Sequence, residues 1–490
     1  MTRHFRHTLV CLSAAAALAT APALAADATP EGAAKLIQTL QKYVGTPAAG
    51  EPSSVTVTPK GQDYQLVFDI QRLMKPLEVT GLRLDSTPMN FVLTEQADGT
   101  WRVVSDSYPH LNIHVPPDQV MDFSMEGYKS DGIFDPRTAA FRSGRHSMEK
   151  MTAKTTAPGV TQLQTYGPSR LELTGTAVGV DAVSVAFRQS GQNYVQEAAF
   201  AVPGKDGKPA APAANLTIKA ASFELGVSAD AVRNTKIMEL WAYFVAHPSM
   251  QAITDSQADL KALLRDCGPV FEKLTESFSA SGVSVAGPTG TVSFKDAAFA
   301  LDIGGISSSG TVGLSLKSTG LTIPPPMIPA WGPAFVPSLI DLAPRVTGLN
   351  FAAAAREAVE DFDLHKAIVL TGAETTKIAF LLAPGGSFKV SLPPGRLTSS
   401  LLDIQMDGEL DVTVPKASGK LNVHAKGLDA ALEALKAVMG SDKSAAQAFG
   451  GLTIAKALAK PDADGGLQWV LEMTPDGRRT VNGTPMGGVP

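Results

Sequence analysis

A chain of 490 residues with 44% hydrophobic, 18% charged and 6% aromatic residues is too apolar and too poor in charge to be disordered. Its two cysteines exclude a disulfide scaffold and a cysteine-built zinc site. A net charge of −5 argues against nucleic-acid binding through phosphate contacts, and the length allows roughly two to four domains.

The N-terminus reads as a secretory signal peptide over residues 1–25. Arg3 and Arg6 form a positive region, Leu9 to Ala19 an apolar run, and Ala23-Leu24-Ala25 a small-x-small cleavage site, with Ala26 as the expected mature N-terminus. Cleavage removes Arg3, Arg6 and Cys11. It leaves 40 cations against 47 acids, a net charge of −7, and one thiol, Cys267. No later segment reaches the roughly 18 unbroken apolar residues of a transmembrane helix. The final Gly-Gly-Val-Pro is not the aromatic strand expected of an outer-membrane barrel. The expected location is the periplasm of a two-membraned bacterium, with no membrane anchor after processing.

Thr29-Pro30-Glu31 opens a helix whose stripe is Ala33, Leu36, Ile37, Leu40 and Val44, ended by Gly45. From Ser53 to Leu225 the pattern alternates with period two. Tyr64 to Ile70, Asn90 to Glu95, Trp101 to Val104, Leu111 to Val115, Leu171 to Thr174 and Val183 to Phe187 read as strands, and Asp98-Gly99 as a hairpin turn. Residues 203–214 read as a solvated loop. Residues 227–280 read as helical. Ile237, Leu240, Trp241, Phe244 and Val245 share one face, and a Thr254/Gln257 capping box opens a stripe running from Leu260 through Cys267, Phe271 and Leu274 to Phe278, kinked at Pro269. Cys267 is expected to be core.

Strand texture returns from Thr291 to Leu321, followed by the proline-rich Ile323 to Trp331 and a short helix from Phe351 to Phe362. Lys377–Leu382, Phe388–Leu392, Leu401–Met406, Glu409–Val414 and Lys420–Ala425 read as consecutive antiparallel strands. Leu410, Val412 and Val414 share one face, as do Leu421 and Val423. Helices are expected from Leu428 to Gly440 and over Ala445–Lys460, then a hairpin of Leu467–Met473 and Arg479–Asn482 across Asp476-Gly477.

Gly427-Leu428-Asp429-Ala430-Ala431-Leu432-Glu433-Ala434-Leu435 after a strand, then Trp469-Val470-Leu471-Glu472, Asp476-Gly477 and Val481-Asn482-Gly483, carry a resemblance. With the export signal and the one-sided strands, the chain resembles an exported proteobacterial family known only as a domain of unknown function. More loosely it is similar to AsmA-like periplasmic envelope proteins. The second resemblance implies lipid traffic; the first implies no catalytic residues.

Six histidines remain after processing. His110 and His114 have the spacing of a helical metal pair, but the alternation around them is strand-like, which separates them by roughly 13 Å. Ser147-Met148-Glu149-Lys150 fits Ser-x-x-Lys without its usual partner motifs and reads as a polar loop or helix start. Gly305 to Gly310 reads as a hairpin tip rather than a nucleophile elbow. Glu357, Glu360, Asp361 and Asp363 could hold a cation and read better as a solvated helix face. The aromatic and Met positions Trp241, Phe244, Phe271, Phe278, Met327, Trp331 and Phe335 could line an apolar ligand groove or be ordinary core.

The expectation is a β-rich α+β protein. Extended antiparallel meanders, as a sandwich or a curved groove, carry a helical insert and C-terminal helices. The expected divisions are 26–226, 227–282, 283–426 and 427–490. Function is expected to be non-enzymatic, without a cofactor. The protein would bind or shuttle a hydrophobic, lipid-like ligand, with Trp241, Phe244, Phe271, Phe278 and Trp331 as candidate ligand residues; alternatively it would be a structural or interaction protein that holds an envelope partner on its sheets.

Overall fold

The computed structural model describes residues 27–75, 81–201 and 214–486. The expected signal peptide and residues 203–213 of the expected 203–214 loop lie outside them, while Ala214 already belongs to a strand. The chain is β-rich, with long antiparallel meanders and several helices, two of them near the C-terminus. It divides into two compact units. The first comprises residues up to Asn215 with Glu224–Leu274 and Arg356–Glu374; the second comprises Leu216–Phe223, Thr275–Ala355 and residues from Thr375 on. Among the described residues no helix is long and apolar enough to cross a membrane.

The first unit opens with helix α1 (Pro30–Val44). The Thr29 hydroxyl accepts from the Gly32 N–H at 3.0 Å, Pro30 supplies the preset φ of the first turn, and Gly45 at φ 82° ends it. Its stripe of Ala33, Leu36, Leu40 and Val44 is buried. Strands β1 (Val55–Lys60), β2 (Asp63–Phe68), β3 (Arg83–Ser86), β4 (Met89–Glu95), β5 (Trp101–Ser105), β6 (Leu111–Val115) and β7 (Gln119–Glu126) follow, with the short helix α2 (Ile70–Met74) after β2. Then come β8 (Lys129–Asp135), β9 (Ala140–Met148), β10 (Lys150–Ala157), β11 (Val160–Tyr166), β12 (Ser169–Val178), β13 (Ala182–Phe200) and β14 (Ala214–Val232), of which Leu216–Phe223 belongs to the second unit. β4 and β5 pair across the expected Asp98-Gly99 turn, where Gly99 takes φ 77°.

Antiparallel pairing runs β1–β2–β4–β5–β8–β9–β12–β13–β11–β10–β7–β6–β3. The long β13 makes the turnaround, pairing with β12 over 182–191 and with β11 over 195–200. Both ends of this path feed one apolar cluster. Val55, Leu66 and Phe68 come from one end and Leu84, Leu111 and Ile113 from the other, with α1 packed among them. The sheet therefore curls back around a shared core, because each strand is apolar on one face and that face must be covered.

After β14 come helices α3 (Asn234–Ala246), α4 (Met250–Asp255) and α5 (Gln257–Cys267) of the first unit. The expected Thr254/Gln257 capping box is not formed. Ser249, directly after Pro248, caps α4 by accepting from the Ala252 N–H at 3.1 Å, so Thr254 lies inside that helix. The helical stripe expected to run to Phe278 is also corrected. α5 ends at Cys267, capped by Gly268, and Leu274 and Phe278 belong to strand β15 (Lys273–Gly287). The Gly-Pro pair stops the helix, and the Thr/Ser/Val-rich sequence beyond it alternates. Cys267 is buried as expected, its thiol donating to the Lys236 carbonyl at 3.2 Å.

The second unit holds β16 (Gly290–Ile303), β17 (Gly310–Thr319), β18 (Leu339–Leu342), β19 (Arg345–Leu349), β20 (Ser387–Thr398), β21 (Asp403–Thr413) and β22 (Lys416–Lys426). The two-residue β23 (Lys460–Pro461), β24 (Leu467–Met473), β25 (Arg479–Val481) and the two-residue β26 (Thr484–Pro485) follow. β16 pairs with β17, β17 with both β18 and β19, and these two with β20; β20, β21, β22, β24 and β25 then follow side by side. Helix α6 (Phe351–Asp361) is where the sequence places it. Lys377–Leu382, expected as a strand, is the end of helix α7 (Gly372–Leu382). Thr371 and Glu374 form a capping box there. The Thr371 hydroxyl accepts from the Glu374 N–H at 3.3 Å and the Glu374 carboxylate accepts from the Thr371 N–H at 2.6 Å. Val414 falls in the β21–β22 turn, 65% exposed, and so leaves the face shared by Leu410 and Val412. Helices α8 (Leu428–Lys436) and α9 (Lys443–Leu458) match the expected C-terminal helices.

Candidate functional site

One face of β20–β25 is built from two cross-strand rows. The first is Val390, Leu410, Gly419, Met473 and Arg479; the second is Leu392, Gly408, Leu421, Leu471 and Val481. Side chains in such rows project to the same side of the sheet. Next to them on the same face, Ile404, Ala425 and Leu467 form a further row, with Val423 opposite Trp469. α8 and α9 cover that end through Leu428, Leu432, Leu452, Ala455 and Leu458. Two hydrogen bonds hold the cover down. Trp469 Nε1 donates to the Ala455 carbonyl at 2.7 Å and Asn482 Nδ2 to the Leu458 carbonyl at 2.8 Å.

The helices cover the Val481 end of the second row and leave the rest of the first two rows open. What remains is an apolar trough of about 350 Å³, open to solvent and lined chiefly by Val390, Leu392, Leu410, Leu421, Leu471 and Met473. Leu471 is 37% exposed. Gly408 and Gly419 sit diagonally in the floor, so the Leu421 and Leu410 side chains lie against bare backbone. The charges of the same strands alternate to the opposite face, where Glu409, Lys420 and Glu472 stand in one row. Lys389 Nζ holds Glu409 at 3.0 Å.

The aromatic residues singled out in the sequence lie elsewhere and do not line the trough. Trp241, in α3, is half-buried against the first unit's core and its Nε1 donates to the Tyr43 carbonyl at 2.8 Å. Phe244, one turn on, is 40% exposed and edge-on to Tyr243. Phe271 is half-buried between α5 and β15. Phe278 is an exposed side chain of β15. Trp331 is edge-on to Phe335 and donates to the Ser444 hydroxyl at 3.1 Å, while Met327 is exposed. The stripe argument selects large aromatics on helices; the trough is made of aliphatics on strands. Its sequence signal was the alternation of Leu with Gly at matched positions, Gly408 and Leu410 against Leu421 and Gly419.

The polar candidates resolve into structural contacts. His110 lies directly before β6 and its Nε2 is 3.0 Å from an Asp122 carboxylate oxygen. Among the described residues no group of three or more His, Cys, Asp or Glu is placed to hold a metal. Ser147 and Lys150 lie in β9 and β10 rather than in a loop or helix start, and Lys150 Nζ is 3.2 Å from Glu126. In the acidic cluster, Arg265 holds Glu360 with two bonds of 2.6 and 2.7 Å, and His365 and Lys366 face Asp363. Asp135 is the most perturbed carboxylate. Burial pushes it up, but Arg137 and Arg142 outweigh burial and hold it down to about 2. His146 is held below its usual value by burial and bonds Tyr128 at 2.9 Å.

Neither a scan against protein-family models nor comparisons with curated proteins and with solved structures found a match. The site's chemistry is therefore read from its own residues.

Proposed function

We propose that this is a non-catalytic, exported protein that binds a hydrophobic, lipid-like ligand on the uncovered rows of its C-terminal sheet. The observation that carries the reading is the trough itself. It is a concave aliphatic surface of about 350 Å³ on a sheet whose adjoining rows are sealed by α8 and α9. Ligand sites are concave, mostly apolar and about 300–1,000 Å³ in size. An alkyl chain laid there gains roughly 0.8 kcal/mol per methylene removed from water. The signal-like segment ending at Ala25 supports export and a periplasmic location, where a carrier of water-insoluble molecules has a use.

The test is native mass spectrometry of protein recovered from the periplasm without detergent, followed by organic extraction. The proposal expects a stoichiometric non-protein mass that is lost in Leu471→Glu. It is contradicted by an empty wild-type protein, which would favour the alternative of a sheet surface that holds a protein partner.

A further inference from the structure

We infer that the trough takes a free, single-chain amphiphile with an anionic head, and that Arg479 reads that head. This rests on the trough being a ligand site and adds the chemical class. Arg479 stands opposite Met473 in the β24–β25 ladder and lines the trough. It is exposed, and it makes no ion pair or side-chain hydrogen bond among the described residues. The acid nearest in sequence, Asp476, is held by Arg478 at 2.7 Å and does not neutralise it. The other cation along the trough, Lys420, lies by strand alternation on the opposite face, in the row of Glu409 and Glu472. The trough face thus combines an aliphatic floor with one unpaired guanidinium at its β25 end. That is the complement of an alkyl chain ending in carboxylate or a similar anion, for which guanidinium offers two parallel N–H donors. A volume of about 350 Å³ lies at the small end of ligand sites and suits one chain rather than the two of a bilayer phospholipid.

The experiment is calorimetric titration of the purified full chain with three monomeric probes of equal chain length: dodecanoate, dodecanol and dodecyltrimethylammonium. A fourth arm is co-sedimentation with phosphatidylglycerol vesicles. The wild type is expected to bind dodecanoate roughly tenfold tighter than dodecanol, the equivalent of one charge-assisted contact, and the cationic probe most weakly. Arg479→Gln should erase the preference for dodecanoate and keep dodecanol binding. Leu471→Glu should abolish both, while Ile454→Glu, the same charge added at a 64% exposed position of α9, should change neither. An unchanged preference in Arg479→Gln overturns the assignment of the head while leaving the trough intact. Unaltered dodecanol binding in Leu471→Glu overturns the trough as well. Binding to vesicles without binding to monomeric dodecanoate overturns the single-chain class.

Discussion

Gly419 stands opposite Leu410 in the β21–β22 ladder, and a Cβ at Gly419 would lie 2.3 Å from the Glu409 carbonyl oxygen and 2.7 Å from the Leu410 Cα. Both obstacles are backbone, so no side-chain rotation relieves them. Gly408, diagonally across, faces the Lys420 carbonyl oxygen at 2.4 Å in the same way. The pair lets two leucines fold down over the sheet and gives the trough its floor.

Gly419→Ala should therefore destabilise the protein by about 2 kcal/mol, within the usual range for overpacking. Gly450→Ala is the control. Gly450 lies inside α9 with nothing within 4 Å of the added methyl, so this change should stabilise by roughly 0.5–1 kcal/mol. Urea unfolding of both variants checks the pair; equal and opposite-to-expected shifts would mean that the floor tolerates side chains.

How much of this was legible in the sequence follows from the range of the interactions. Thr29, Pro30 and Gly45 fix α1 by local rules, and the Leu410/Leu421 alternation fixes two strands. The Lys377–Leu382 segment misled because its apolar residues suit either element and the deciding contact, Thr371 with Glu374, lies upstream of it. Leu274 and Phe278 matched a helical period by coincidence of spacing. The trough was hidden for another reason. A sheet face is a site only where no helix covers it, and the extent of cover from α8 and α9 is a tertiary fact. The curling of β13 between β12 and β11 is equally non-local.

Acid should unfold the first unit's core in part through Asp135, whose side chain is 3% exposed. Its folded pKa is depressed to about 2 from an ordinary 3.8. Its contribution is then complete above about pH 4 and is lost as pH falls toward 2, amounting to about 2 kcal/mol. Asp135→Asn should lose that stability at neutral pH and show a flatter stability profile between pH 4 and 2. Denaturant midpoints across that window decide it; parallel profiles would contradict the assignment.

The Trp241 and Phe244 side chains, one helical turn apart, should separate cleanly. Trp241→Ala removes core packing and the bond to the Tyr43 carbonyl and should cost about 3 kcal/mol. Phe244→Ala, at an exposed position, should cost less than about 1 kcal/mol. Neither should alter binding of dodecanol, since neither lines the trough. Thermal unfolding with parallel titrations reads both effects.

Thiol labelling tests burial and processing together. Burial and the neighbouring Asp266 raise the pKa of the Cys267 thiol, and it is 4% exposed. Iodoacetamide should leave the native exported protein unlabelled and add one label after denaturation. Two labels would mean that Cys11 is retained and the segment ending at Ala25 is not removed.

The most direct test of the central claim is where a ligand lands. A dodecanoate analogue carrying a photoreactive diazirine on its chain, cross-linked to the native protein and mapped by peptide mass spectrometry, should label the segments around Val390–Leu392, Leu410, Leu421 and Leu471–Met473. It should do so competitively with unlabelled dodecanoate. Adducts concentrated instead at Trp241 and Phe244 or at Trp331, or scattered without competition, would contradict a ligand site on the uncovered rows of this sheet.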